Sequence, residues 1–202
     1  MKTQLNTLTP EECDKLLFYL LEPQNRNAPL RVYHRNYTIA LLMLDAGLRV
    51  GEVVQLRQNQ LWFADAAVGA LTIEKDQAKN KHERTIPITM RLDAAIHLMH
   101  RQWWAQLAHS SPTHAFYQIV PSRPLGTRQV RRIITSAGKL SIGRDIHPHI
   151  LRHTFATRLM RNTSMPVVQG LLGHTNLSST QIYTHPNGED RKKAIDSLNP
   201  KK

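Results

Sequence analysis

The run Pro148-His149-Ile150-Leu151-Arg152-His153-Thr154-Phe155-Ala156-Thr157 decides how this chain folds. Proline suits the first turn of a helix, because its missing N–H has no partner to lose there. The spacing predicts a helix over Pro148 to Arg161. Leu151, Phe155 and Leu159 fall on one stripe, which should face a core. His149 and Arg152, at i and i+3, share a different face near the positive end of that helix. Such a pair suits either a phosphate site or an ordinary solvated face.

The same helical signals recur on both sides of this run. Thr9-Pro10-Glu11-Glu12 carries an N-cap threonine, a proline at the first position and a capping-box glutamate, so a helix is expected to reach Leu21. A second helix is predicted from Arg31 to Ala46, with Gly47 as its stop. A short third helix follows, with Val50, Val53, Val54 and Leu56 as its apolar positions. A long helix is expected over Arg91 to Ala108, with Trp103 on its apolar stripe and therefore in the core. Further helices are expected at Thr127 to Leu140, with Thr127 as N-cap, then at Pro166 to Leu172 and Ser178 to Tyr183. Between the third and fourth helices, Leu61 to Ala64, Ala70 to Glu74 and Arg84 to Ile88 alternate as strands do. Pro87 marks the last as an edge strand. A lysine-rich loop, Asp76 to His82, joins the second strand to the third. The expected fold is mainly α with a small three-stranded antiparallel sheet, in one domain spanning 202 residues.

Composition narrows the partners. The net charge of +12 favours a polyanion, with nucleic acid ahead of an anionic membrane surface. The most apolar stretch, Ile39 to Leu48, is broken by Asp45 and is shorter than the roughly 20 residues a membrane helix needs. Cys13 is the one cysteine, so no internal disulfide forms, which fits a reducing cytoplasm.

Several residues could carry chemistry. Arg49 opens the third helix, and Glu52 three residues on could hold its guanidinium. Lys79 and Lys81 lie in the hairpin loop, suited either to solvent or to a DNA backbone. Arg128, Arg131 and Arg132 make a basic helix face with the same two readings. His174 precedes Tyr183 by nine residues across a polar stretch; taken alone, Tyr183 reads as a half-buried tyrosine. His149 and His153 have i, i+4 spacing, but Ile150 stands where a zinc hydrolase helix carries glutamate. No cysteine pair or carboxylate cluster accompanies them, so no metal or cofactor is expected.

In order, these segments resemble the tyrosine recombinases of the phage integrase family, most of all their Xer-like branch. Gly47-Leu48-Arg49-Val50-Gly51-Glu52 looks like the first active-site box, and Pro148 to Thr157 like the second. Leu171-Leu172-Gly173-His174 and Thr180-Gln181-Ile182-Tyr183 look like the third, and Ala78 to Ile88 like the hairpin with the catalytic lysine. The resemblance implies Arg49, Lys79, His149, Arg152, His174 and Tyr183 as catalytic residues, Glu52 as their support, and Lys81 as the second choice for the lysine. It implies the family's catalytic-domain fold and double-stranded DNA as partner, within the nucleoid. It also implies a tetramer on paired sites, a monomer without DNA, and no metal or ATP. Residues 1–8 would be an extension and 186–202 a tail docking on a neighbouring protomer; the family's N-terminal core-binding domain would be absent. Gly170 departs from relatives that often carry glutamate there. The alternative is a non-catalytic DNA-binding regulator or an inactive fragment; a type IB topoisomerase shares the chemistry but not the Xer-like spelling of the boxes.

Overall fold

The computed structural model describes residues 7–25, 27–106, 114–118 and 123–173. Helix α1, Pro10–Leu21, opens as the sequence requires: Thr9 Oγ1 accepts the Glu12 amide at 3.2 Å, and Glu12 Oε2 accepts the Thr9 amide at 2.9 Å. Helix α2, Leu30–Leu44, is the central element and packs against α1 and against the later helices α4, Met90–Gln102, and α6, Pro148–Met160. Its residues Ile39 to Leu44 are all buried, as a helix apolar on every side must be. Each such leucine stabilises the fold by about 2 kcal/mol.

Polar ties fix the other elements around α2. Asp45, just past its end, binds the Arg91 guanidinium and accepts the Thr89 hydroxyl at 2.8 Å, which anchors the start of α4. Helix α5, Thr127–Ile142, runs along α1, and Arg144 beyond its end grips Glu12. The Leu8 amide donates to Thr154 Oγ1 at 2.9 Å, joining the chain's first described segment to α6. Trp103 is buried, as its place on the apolar stripe predicts, and its indole N–H donates to Arg31 O at 2.6 Å.

Three expectations are corrected. The three-stranded sheet is instead two separate antiparallel hairpins: β1, Trp62–Phe63, with β2, Ala66–Ala67, and β3, Ala70–Ile73, with β4, Arg84–Pro87. Ala64 and Asp65 both have positive φ, the geometry of a tight two-residue reversal, so the first predicted strand folds back on its neighbour. It is therefore not available to extend the second sheet. The fourth helix ends at Gln102, and a short 3₁₀ turn, Trp104–Gln106, follows. Gly126 caps α5, with Thr127 as its first helical residue. Pro87 lies at an edge as predicted, since β4 pairs with β3 alone among the described residues.

Candidate active site

Three elements meet at one carboxylate. Helix α3, Val50–Gln55, begins where Gly47, at φ +62°, turns the chain sharply off α2. Arg49 is its N-cap and Glu52 lies in its first turn. The Glu52 side chain bends back to accept the Arg49 amide at 2.7 Å and Arg49 Nη1 at 3.1 Å. From β4, Arg84 donates through Nη1 to Oε1 at 3.0 Å and through Nη2 to Oε2 at 2.7 Å. From α6, Arg152 Nη1 lies 3.9 Å from Oε2.

Glu52 is almost wholly buried, at 2% exposure. Burial alone would raise its pKa. The hydrogen bonds and charge of Arg84, the Arg49 amide and the charge of Arg152 outweigh that and hold the carboxyl below its ordinary value. Three guanidiniums thus surround one carboxylate, which leaves a surplus of positive charge. They differ in access: the Arg49 side chain is 18% exposed, against 4% for Arg84 and 5% for Arg152. An incoming anion therefore meets Arg49 first.

Arg152 shares the first turns of α6 with His149, but the two side chains have different surroundings. Arg152 is buried and donates to Gly47 O, and through Nη2 to Leu172 O at 2.8 Å. It joins α6 to the turn before α3 and to the end of α7, Met165–Leu172. His149 is exposed on the helix surface. Its partial withdrawal from water, then the charges of Arg152, Arg131, Arg49 and Lys79, lower its pKa. Those four cations and the histidine therefore belong to one electrostatic neighbourhood.

Lys79 and Lys81 are both exposed on the loop between β3 and β4. Lys79 is the one whose charge is felt at His149; Lys81 sits at φ +56°, past the loop's own turn. The basic face of α5 divides. All three arginines are exposed; Arg131 acts on His149, while Arg132 borders a cleft with Tyr19, Tyr33 and Asn36 between α1, α2 and α5. His174, Tyr183, the helix expected around Ser178 and the tail at 186–202 lie outside the described residues.

One residue of the neighbourhood escaped sequence reasoning as a site residue, Arg84. Arg84 left a signal: in β4 it shares the inward register of Ile86. An arginine in that register needs a buried acid.

Comparison with known proteins gives the family and the fold. Residues 6–190 match the model of the phage integrase family. The chain is 32% identical over 170 residues to tyrosine recombinase XerC of Pseudomonas fluorescens strain Pf-5, covering 83% of this chain and 54% of that protein. It is 33% identical over 193 residues to a tyrosine recombinase of Pseudothermotoga lettingae, covering 95% of this chain and 60% of that one. The chain thus spans little more than half the length of these relatives. The crystal structure of XerA recombinase shares the fold, with a TM-score of 0.73 at 22% identity, over 97% of this chain and 64% of that one. XerH, a site-specific recombinase in a post-cleavage complex with palindromic difH substrate, superposes with a TM-score of 0.68 at 27% identity, over 95% of this chain and 53% of that one. A match across nearly the whole chain, on a fold and a basic site of this kind, means that the chain belongs to the phage integrase family, on its Xer-like tyrosine recombinase side.

Proposed function

We propose that this chain is the catalytic part of a site-specific DNA recombinase that cuts and rejoins double-stranded DNA through Tyr183. The observation that supports this most directly is the surplus of positive charge around Glu52, with Arg49 the most exposed of its three guanidiniums and His149 and Lys79 beside it. A phosphodiester is the anion such a site suits. XerH, captured on DNA after cleavage, is the relative whose action it parallels.

In the proposed step the Tyr183 phenol attacks the scissile phosphorus. A bond from Oη to phosphorus forms as the bond from phosphorus to O5′ breaks, leaving a 3′-phosphotyrosyl enzyme and a 5′-hydroxyl. A phenol has a pKa of about 10, so its proton needs an acceptor. His149 takes it, and its lowered pKa suits that role because the imidazole stays neutral. Lys79 gives a proton to O5′. Arg49 and Arg152 stabilise charge on the nonbridging oxygens, joined by His174, while Glu52 fixes Arg49. The covalent intermediate keeps the energy of the broken bond, so rejoining requires no ATP, and the Arg49 and Arg152 guanidiniums take the part a metal ion would play on the phosphate oxygens. Paired DNA sites bring four copies together, with residues 186–202 as the segment that links neighbours.

The test is a labelled suicide-duplex pool, drawn from the native genomic neighbourhood and incubated with the protein in chelator. An SDS-resistant adduct that is lost in Tyr183→Phe is the expected result, with DNA binding retained. An adduct that persists in Tyr183→Phe removes the nucleophile. Binding without any adduct favours a regulatory role instead.

A further inference from the structure

Lys79 is held from both sides by neighbours that carry no charge. Before it, Gln77 is buried, and its Nε2 donates to Gln55 O at 2.9 Å at the end of α3. After it, Asn80 Nδ2 donates to Gly173 O at 3.0 Å, at the end of α7. The lysine therefore sits between two anchors that lie on different helices. Four residues beyond Asn80, Arg84 Nε donates to Leu171 O at 3.0 Å, and its side chain passes 3.1 Å from where a Cβ on Gly173 would stand. Among the described residues no backbone hydrogen bond joins this hairpin to α7. The alignment of loop and helix rests on side chains.

Of these ties, the one from Asn80 is closest to the lysine and least needed by the core. Asn80 is half-buried, and the hydrophobic cluster packs without it. A lysine side chain has four rotatable carbons, so its ammonium is placed only as well as its backbone is. A loop freed at Asn80 would let that backbone drift while the rest of the site stayed assembled. A general acid works only within hydrogen-bond reach of the atom it protonates.

We propose that Asn80 is a positioning residue for Lys79: its bond to Gly173 O holds the lysine's loop against the end of α7, so that the ammonium reaches the leaving O5′. This rests on the recombinase reading, in which Lys79 protonates that oxygen.

The experiment uses the full chain and the duplex trapped through Tyr183, made in two forms. One has the ordinary O5′; the other has sulfur at that bridging position. With sulfur, the bond from phosphorus to S5′ breaks and a thiolate departs without a proton, since thiols ionise near a pKa of about 8.5. A defect confined to proton donation then disappears. General-acid catalysis contributes about 10²–10⁴-fold, so Asn80→Ala is expected to slow adduct formation on the oxygen duplex by about tenfold or more, and to come within about threefold of wild type on the sulfur duplex. Asn80→Ser, also too short to reach Gly173 O, gives the same pattern and guards against a folding defect. Lys79→Ala sets the full size of the effect.

An Asn80→Ala protein as fast as wild type on oxygen overturns the proposal. So does one equally slow on both duplexes, because that is general disorder of the site. Failure of the underlying reading looks different: wild type forms no adduct on either duplex, or sulfur fails to rescue Lys79→Ala, and the positioning role falls with it.

Discussion

Arg84 and Glu52 form a two-pronged ion pair with both side chains buried, Nη1 to Oε1 at 3.0 Å and Nη2 to Oε2 at 2.7 Å. The pair joins β4 to α3, and Arg49 and Arg152 share the same carboxylate. Removing a single partner of such a cluster leaves buried charge uncompensated, which costs about 3–5 kcal/mol. Glu52→Ala should lose that much in urea unfolding, and Glu52→Gln, which keeps the shape and some hydrogen bonds, should lose less. A Glu52→Ala protein as stable as wild type would show that the cluster does not hold these elements together.

The same pair sets an acid limit. The Glu52 carboxyl is held below its ordinary value of 4.5, so the folded state binds its proton less readily than the unfolded chain. Its contribution to stability is therefore fully present above 4.5 and is lost as pH falls through the lowered value. Unfolding free energy measured against pH should fall less steeply below 4.5 in Glu52→Gln than in wild type. Parallel curves would place the acid sensitivity elsewhere, for instance at Glu12 beside Arg144.

His149 should give the cleavage rate its acid limb. Partial withdrawal from water and the charges of Arg152, Arg131, Arg49 and Lys79 keep it neutral to a pH below its ordinary 6.5. Single-turnover adduct formation should therefore hold its rate through 6.5 and fall only below it. Arg131→Gln removes one of the opposing charges, raises the histidine's pKa and moves the limb upward. A limb that stays in place in Arg131→Gln would separate α5 from the site.

Two glycines should respond in opposite ways to alanine. At Gly47, φ is +62° and a Cβ would stand 2.3 Å from the Phe155 ring. Left-handed backbone and overpacking together should cost Gly47→Ala about 3 kcal/mol. Arg152 donates to the Gly47 carbonyl, so the adduct yield should fall as well. At Gly170, inside α7, a Cβ would meet nothing within 4 Å. Gly170→Ala should stabilise the protein by about 0.5–1 kcal/mol. Thermal melts of the two variants test both signs, and a destabilised Gly170→Ala would mean that α7 needs the glycine for packing outside the described residues.

Local rules in the sequence determined most of the elements. Capping at Thr9, proline at the start of α6, the Gly47 stop and the apolar stripes each depend on residues within one or two turns, so one chain segment suffices to read them. The spelling of the boxes likewise singled out Arg49, Glu52, Lys79, His149 and Arg152 before any contact was known. The burial of Arg84 follows from the same two-residue alternation that turns Ile86 inward. What tertiary structure alone decided is which groups share a partner. Glu52 and Arg84 stand 32 residues apart, and Asn80 and Gly173 stand 93 apart. The sheet divided into two hairpins because positive φ at Ala64 and Asp65 closed the first strand on its neighbour, a backbone choice that Ala-Asp does not announce as Asn-Gly would. A buried charge and a loop carbonyl each accept whichever donor the packed helices bring to them, and that donor depends on the whole fold.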